Sequence, residues 1–210
     1  EMGIILVDIG GGTTDIAVWK EGSLIHSKII PVGGNHFTND LAVGLKVPHT
    51  EAERVKIHHG SVIVSNAQET SHITVQGIQG SKSREIPSNF IAEILHARAE
   101  ELFILIKDMI DEKELSDMVT GGFIITGGGA LIKGIPEFAE YVFCKPVRIG
   151  FPLPFGGMTN IMQNPKYSTV LGLLLESSKA VDTKDENDTG SIDLISKLGA
   201  SIKSVFREIF

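Results

Sequence analysis

A glycine turn between two apolar segments near the start of the chain is the feature that most constrains its fold. An apolar strand carries one carboxylate to its end and runs into three glycines and two hydroxyls, namely Asp8, Gly10, Gly11, Gly12, Thr13 and Thr14. Glycines allow a ligand to approach the backbone closely and leave N–H groups accessible to phosphate oxygens, and a neighbouring carboxylate suits a hydrated Mg²⁺. The segment therefore predicts a hairpin that binds nucleotide phosphates, although a plain hairpin needing positive φ at its glycines has the same pattern.

The composition restricts the class of protein. The chain has 210 residues, of which 42% are hydrophobic and 21% charged, as in ordinary globular domains. A net charge of −7 disfavours nucleic acid as a partner. The sequence has no apolar run of about 18 residues that would predict a membrane span, and its single cysteine, Cys144, excludes an intrachain disulfide. The chain begins within an apparent strand, so we expect it to be the C-terminal part of a larger protein.

The order of predicted elements is typical of an α/β fold. We expect strands at 4–8, 14–19, 23–30, 122–126 and 147–149, and an exposed irregular β region at 61–86. We expect helices at 36–45, from Thr50, from a Ser88 N-cap to about Met118, through Pro136, and at 167–175, where Gly172 would allow close packing. The longest helix carries its apolar residues at spacings of three and four, which predicts a face that packs on the core.

A second glycine turn repeats the pattern of the first. Gly127, Gly128 and Gly129 follow the predicted strand at 122–126. Such turns lie at the C-terminal ends of strands, where α/β sheets bind ligands, and a glycine surface can lie flat against a base or ribose. Two such turns in one chain indicate a nucleotide site more strongly than either does alone.

Glu53 and Lys56 form a third candidate element, because they lie three residues apart on one helical face. They could hold a ribose and an adenine edge. Thr50 and Glu53 also match a T-x-x-E capping box, and the spacing alone favours that structural explanation. By contrast, His58 and His59 have no carboxylate or cysteine at metal-ligand spacing, so they do not predict a metal site.

The end of the chain predicts an amphipathic helix after a polar linker. Residues 182–190 contain no apolar side chain, which predicts disorder. Residues 191–210 carry an apolar stripe that includes Ile195, Leu198, Ile202, Val205, Phe206, Ile209 and Phe210. Such a helix can lie in a bilayer interface, where each large side chain contributes about 1.5–3 kcal/mol if fully buried. A partner groove or the protein's own core could also receive it, but a core helix rarely follows a long polar linker.

The motifs together resemble the FtsA family of cell-division proteins within the actin-fold ATPases. The matching segments, in order, are VDIGGGTTDIAV, PVGGN, EAERVKIHHG, TGGGA, VRIG and YSTVLGLLL. The resemblance implies an α/β fold: the second lobe of an actin-like (ribonuclease H-like) ATPase, with an inserted small α+β subdomain and a C-terminal amphipathic helix. The implied divisions are a nucleotide-binding subdomain at 1–38 and 118–160, the insertion at 39–117, a returning helix at 161–180, a linker at 181–190 and the membrane helix at 191–210.

The resemblance also implies an ATP site. Its phosphate and Mg²⁺ side would use Asp8, Gly10, Gly11, Gly12, Thr13 and Thr14, with Asp8 holding the metal through water. Its ribose side would use Gly33, Gly34 and Asn35. Glu53 and Lys56 would flank the nucleoside, which favours the binding role over the cap, and Gly127, Gly128 and Gly129 would line the adenosine. We assign no catalytic residue and expect weak ATPase activity at most, because the family's first phosphate motif lies outside this chain.

The function implied by the resemblance is that of a membrane tether for the division ring. Such a protein would bind the C-terminal tail of FtsZ through the inserted subdomain, polymerise with itself, and bind membrane lipid through 191–210. It would act at the division septum, on the cytoplasmic face of the bacterial inner membrane. The alternatives are an actin-fold enzyme of chaperone or sugar-kinase type and a pilus-assembly adaptor; the amphipathic end argues against the enzyme.

Overall fold

The computed structural model describes residues 3–64, 71–77, 82–153 and 164–182. The strands in these ranges are β1 (Ile4–Ile9), β2 (Thr14–Lys20), β3 (Ser23–Ile30), β4 (His72–Val75), β5 (Arg84–Pro87), β6 (Phe123–Thr126) and β7 (Val147–Ile149). The helices are α1 (Gly34–Leu45), α2 (His49–His59), α3 (Ser88–Glu112), α4 (Ile135–Phe143) and α5 (Ser168–Asp182). Short 3-10 helices at Gly128–Leu131 and Pro165–Tyr167 precede α4 and α5.

The main sheet is mixed and has the strand order β3-β2-β1-β6-β7. The three N-terminal strands pair antiparallel, whereas β1-β6 and β6-β7 pair parallel. Because parallel strands end at the same edge of a sheet, the turn after β1 and the turn after β6 lie side by side. The fold thus brings together two glycine clusters that are more than a hundred residues apart in sequence.

One face of this sheet carries the core. Ile5, Val7 and Ile9 alternate along β1 and are at most 1% exposed, as period-two alternation requires. Helix α3 contributes fully buried residues to the same hydrophobic core, namely Ile91, Leu95, Leu102, Phe103 and Ile106. At the α4 end, Phe123 stacks on Phe143 with ring centroids 4.1 Å apart. The predicted core face of the long helix is therefore confirmed, apart from Phe90, which is 43% exposed.

Helix α3 ends six residues before the predicted Met118. Glu114 adopts a left-handed φ of 53°, and the N–H groups of Glu114 and Leu115 donate to the carbonyls of Asp111 and Ile110. This is the Schellman arrangement, which usually places glycine at the left-handed position. This helix end is not predictable from local sequence, because a glutamate takes the position that usually requires glycine.

The predicted starts of α2 and α3 also differ from the structure. The N-cap of α2 is Pro48 and that of α3 is Pro87, neither with a side-chain capping bond. Thr50 and Ser88 therefore lie inside their helices, and the T-x-x-E capping box does not form. Proline at this position has no side chain that can cap the helix, but its fixed φ is compatible with a helix start.

Helix α5 differs from its prediction in two respects. It continues to Asp182, so it includes the first two residues of the predicted linker at 181–190. Gly172 does not serve close packing within the described chain, because a Cβ placed there would meet no atom within 4 Å. Residues 183–210, which include the predicted membrane-binding side chains, lie outside the described residues.

A buried carboxylate joins α2 to the β4-β5 hairpin. Glu51, 8% exposed, accepts two hydrogen bonds of 2.8 Å from Arg54 and one of 2.7 Å from the Gln76 N–H. Arg54 also donates to the Thr74 carbonyl at 3.2 Å. The Arg54 guanidinium keeps the pKa of Glu51 below its ordinary value of 4.5, against the opposing effect of burial.

The second glycine turn packs tightly on the end of β1. Gly127 has φ +84°, and a Cβ there would lie 2.3 Å from Asp8 Oδ1 and 2.5 Å from the Ile9 carbonyl oxygen. A Cβ on Gly129 would lie 2.3 Å from Ile9 Cγ2, whereas one on Gly128 would meet nothing closer than 4.0 Å. The first and third glycines are therefore required by packing, and the middle one is not.

We predict that Glu51→Gln lowers the free energy of unfolding by about 1–2 kcal/mol at pH 7, because an amide cannot replace the ionised acceptor of three hydrogen bonds. A carboxyl whose native pKa is depressed stabilises the fold above its unfolded pKa, and this contribution is lost as pH falls through the native pKa. The difference between wild type and variant should therefore shrink below pH 4.5. Urea denaturation at several pH values measures it, with the exposed Glu85→Gln as control; a pH-independent difference would contradict the ion-pair explanation.

We predict that Gly127→Ala and Gly129→Ala each lower stability by about 1–3 kcal/mol, the typical cost of overpacking or a strained backbone. Gly128→Ala should change it by less than about 0.5 kcal/mol. Thermal denaturation of the three variants provides the comparison, and equal effects at all three positions would refute the packing described for this turn.

Candidate nucleotide-binding site

A cavity of about 480 Å³ lies where the two glycine turns meet α1 and α2. The backbone of both turns contributes to its lining, with polar and charged groups from α1 and α2 and several apolar side chains. The lining residues are Gly10, Gly11, Gly34, Asn35, Glu53, Lys56, Ile57, Gly128, Gly129, Leu131, Ile132, Asn164 and Lys166. Mostly apolar walls with a few convergent polar groups are typical of a small-molecule site.

The first glycine turn is supported from below by the start of α1. The N–H groups of Gly34 and Asn35 donate to the carbonyls of Gly10 and Gly11 at 2.8 and 2.7 Å. Gly33 fits beneath them so closely that a Cβ would lie 2.8 Å from both carbonyl oxygens. The carbonyls of the turn are therefore occupied, while the exposed N–H groups of Gly11 and Gly12 donate no hydrogen bond within the described residues. Such unpaired donors suit an anion.

The two threonines of the turn have different environments. Thr14 is fully buried, and its hydroxyl donates to the Val32 carbonyl at 2.7 Å. Its only hydroxyl proton is thus used inside the protein, where it joins β2 to the loop before α1, and in this arrangement it is not available to a phosphate. Thr13 is exposed, and its hydroxyl donates to Asp15 Oδ2 at 3.1 Å.

Asp8 lies on the other face of the sheet from the cavity. It is the direct cross-strand partner of Asp15, and both line an open recess of about 700 Å³ beside α5. Asp8 Oδ2 accepts a hydrogen bond from the Thr169 hydroxyl. The structure therefore places the predicted metal-binding carboxylate at the edge of the glycine turn, outside the cavity that the turn lines.

The predicted pair Glu53 and Lys56 contacts the start of α1, whose Gly34 N–H in turn donates to the Gly10 carbonyl of the first turn. Lys56 Nζ donates to the Gly34 carbonyl at 2.9 Å, to Thr38 Oγ1 at 2.8 Å and to Glu53 Oε2 at 2.8 Å. Lys56 is 9% exposed, whereas the Glu53 side chain is 38% exposed. Burial raises the pKa of Glu53, but hydrogen bonds from Lys56 and Thr38 outweigh this, and the pKa lies below its ordinary value.

The second turn contributes Gly128 and Gly129 to the cavity, while Gly127 braces the end of β1 instead. Asn164 and Lys166, which the sequence did not predict as site residues, also line the cavity. Asn164 accepts a hydrogen bond from the Lys166 N–H at 3.1 Å, and the Gly127 N–H donates to Pro165 at 3.2 Å. The Asn-Pro pair is a sequence pattern that predicts the start of a helical turn. Nothing in the local sequence indicates that this turn faces the cavity.

The described part of the chain shows neither a metal-binding cluster nor a membrane-spanning helix. It contains no cluster of three or more histidine, cysteine, aspartate or glutamate side chains that could hold a metal ion. None of its helices has the length and apolar character needed to cross a membrane.

Solved structures share this fold. The chain superposes on MreB5 of Spiroplasma citri bound to AMPPNP with a TM-score of 0.70, at 25% identity, over 89% of this chain and 55% of that one. The ADP-bound structure of the same protein gives a TM-score of 0.69 over 89% of this chain and 56% of that one. A type IV pilus PilM–PilN complex matches with a TM-score of 0.64 at 15% identity, over 83% of this chain and 46% of that one, which shows the fold alone. The predicted actin-like fold is confirmed.

Sequence relatives show the family. The chain is 38% identical to the cell division protein FtsA of Pseudomonas aeruginosa over 83% of this chain and 42% of that protein. It is 33% identical to FtsA of Escherichia coli K12 over 100% of this chain and 50% of that protein. It thus spans about half the length of these relatives. The family model for cell division protein FtsA matches residues 5–172. The chain therefore belongs to the FtsA family of cell division proteins.

Proposed function

We propose that the chain supplies half of an ATP site, in which the 480 Å³ cavity holds the nucleoside and the first glycine turn holds the phosphates. The observation that carries this proposal is the convergence of both glycine turns with Glu53 and Lys56 on one cavity. Unpaired N–H groups at Gly11 and Gly12 suit phosphate oxygens. The backbone of Gly128 and Gly129, with Ile57, Leu131 and Ile132, offers a flat and apolar surface to a base.

The carboxylate pair beside the turn fits a hydrated Mg²⁺. Asp8 and Asp15 face each other across the β1-β2 ladder, and like charges directly opposite one another destabilise a sheet. The hydroxyls of Thr169 and Thr13 partly compensate by donating to them. Mg²⁺ prefers oxygen ligands and keeps several waters, so Asp8, with Asp15 beside it, would hold the ion through water. There the ion would neutralise phosphate charge.

We predict that Gly12→Val weakens ATP binding about tenfold, because the side chain would occupy the space above the turn; a steric overlap worth about 1.4 kcal/mol corresponds to tenfold. A Cβ on Gly12 meets no protein atom within 4 Å, so the fold should tolerate it. Ala97→Val, at an exposed position of α3 away from both the cavity and the recess, is the control. NMR titration of the full chain with Mg²⁺ and ATP measures the affinity. If Gly12→Val and the control bind ATP as wild type does, the turn does not hold the phosphates.

We further propose that the protein tethers the FtsZ ring to the inner membrane at the division septum. The insertion at 39–117 would bind the C-terminal tail of FtsZ, residues 191–210 would bind lipid, and copies of the protein would associate with one another. Family membership and the apolar stripe of the C-terminal segment support this proposal. The segment's basic charge is small, so insertion of its apolar side chains should dominate over attraction to anionic lipid.

We predict that the full chain floats with liposomes of anionic and neutral phospholipid and carries FtsZ with it. Deletion of residues 191–210 should abolish flotation, and Phe206→Glu should reduce it at least about tenfold, since a buried phenylalanine contributes about 1.5–3 kcal/mol. Ser204→Glu makes the same change in charge on the opposite side of the predicted helix and should float normally. If the protein without residues 191–210 still floats with liposomes, the proposal that this segment tethers it to the membrane is wrong. Earlier melting of Phe206→Glu would instead indicate that this segment packs on the domain.

A further inference from the structure

Three side chains and one carbonyl form a closed hydrogen-bond network at the wall of the cavity. Thr38, on α1, is fully buried. Its Oγ1 contacts Lys56 Nζ at 2.8 Å and the Gly34 carbonyl at 3.1 Å, and it donates to Glu53 Oε2. A hydroxyl has one proton and two lone pairs. Since a carboxylate is a stronger acceptor than a carbonyl, the proton goes to Glu53 and the oxygen accepts from Lys56.

This network uses every proton of the Lys56 ammonium group. Its three N–H donors are directed to Gly34, Thr38 and Glu53. An ammonium group has three N–H donors in total. In this arrangement Lys56 cannot donate to a ligand. Its ammonium group instead neutralises the charge of the Glu53 carboxylate and fixes the position of Oε2.

Glu53 is therefore the member of the network that can reach a ligand. Its Oε2 is held by Thr38 and Lys56, whereas its Oε1 has no hydrogen bond within the described residues. The side chain lines the cavity and is 38% exposed. An ionised carboxylate oxygen only accepts hydrogen bonds, so its ligand must offer a donor.

The position of the network selects the ribose as that donor. Lys56 bonds to Gly34, and the Gly34 N–H bonds to Gly10 of the phosphate turn. Glu53 is thus connected through Lys56 and Gly34 to the turn assigned to the phosphates. In a nucleotide, the group next to the phosphates is the ribose, which carries two hydroxyl donors.

We propose that Thr38 is a positioning residue that, together with Lys56, presents Glu53 Oε1 to a ribose hydroxyl, so that preference for ribonucleotides over deoxyribonucleotides depends on Thr38. This inference rests on the proposed nucleotide site. It deepens that proposal by assigning Lys56 an internal role and by naming a residue that lines no part of the cavity.

The test compares the affinities of the full chain for ATP, 2′-deoxyATP and 3′-deoxyATP by NMR titration with Mg²⁺ present. Wild type should prefer ATP to at least one deoxy analogue by about tenfold, as expected for a hydrogen bond to a charged group. Thr38→Val should lower the ratio of the ATP affinity to the deoxy-analogue affinity to about the value found for Glu53→Gln. The affinity for the deoxy analogue itself should change little. Thr38→Ser, which restores the hydroxyl, and Thr50→Val, which removes an exposed hydroxyl from α2, should keep the preference. Thr38→Ala replaces Thr38→Val if that variant does not fold.

If Thr38 had only a structural role, Thr38→Val would weaken the binding of all three nucleotides equally. That result, or an unchanged affinity ratio, would overturn the inference.

A second measurement does not require nucleotide. In carbon-13 NMR titrations the pKa of Glu53, which lies below 4.5 and is also lowered by His49, should rise in Thr38→Val but not in Thr38→Ser. An unchanged pKa would refute the positioning role. Failure of the wild-type chain to bind any nucleotide would refute the proposed site, while the titration still decides the role of Thr38.

Discussion

The parallel pairing of β1 with β6 is the interaction on which the rest of the site depends. It places Asp8 beside Thr126, so that the glycine turns that follow the two strands emerge at one edge of the sheet. The close packing of Gly127 and Gly129 on Asp8 and Ile9 fixes the second turn against the first. Without this pairing the chain would have two isolated turns and no common cavity.

Helix α2 connects the cavity to the β4-β5 hairpin through side chains on two of its faces. Glu53 and Lys56 join it to the start of α1 and hence to the first glycine turn, while Glu51 and Arg54 join it to Thr74 and Gln76 at the end of β4. Both contacts use carboxylates with depressed pKa values. The wall of the cavity and the β4-β5 hairpin are therefore both attached to the same helix.

The sequence predicted the elements well wherever periodicity or glycine determined them. The three N-terminal strands, the core face of α3 and both turns follow directly from local pattern, because burial alternates with the period of each element. The errors occur at helix ends. Glu114 takes the left-handed position that usually requires glycine, and Pro48 and Pro87 begin helices at which Thr50 and Ser88 were the expected caps. Local propensity is weak at such positions, and contacts with the rest of the fold decide them.

For the site, the sequence by itself determined which kinds of group are available: flexible backbone at two turns, a carboxylate at a strand end, and a carboxylate and an amine three residues apart. Only the tertiary structure decided what each group does. It buried the Thr14 hydroxyl against Val32, turned Asp8 to the face opposite the cavity, used all three protons of Lys56 internally, and brought in Asn164, Lys166 and Thr38. The physical reason is that residue spacing defines the side of a strand or helix on which a side chain lies. Whether its polar atoms are left for a ligand depends on partners that only the folded chain brings within hydrogen-bond distance.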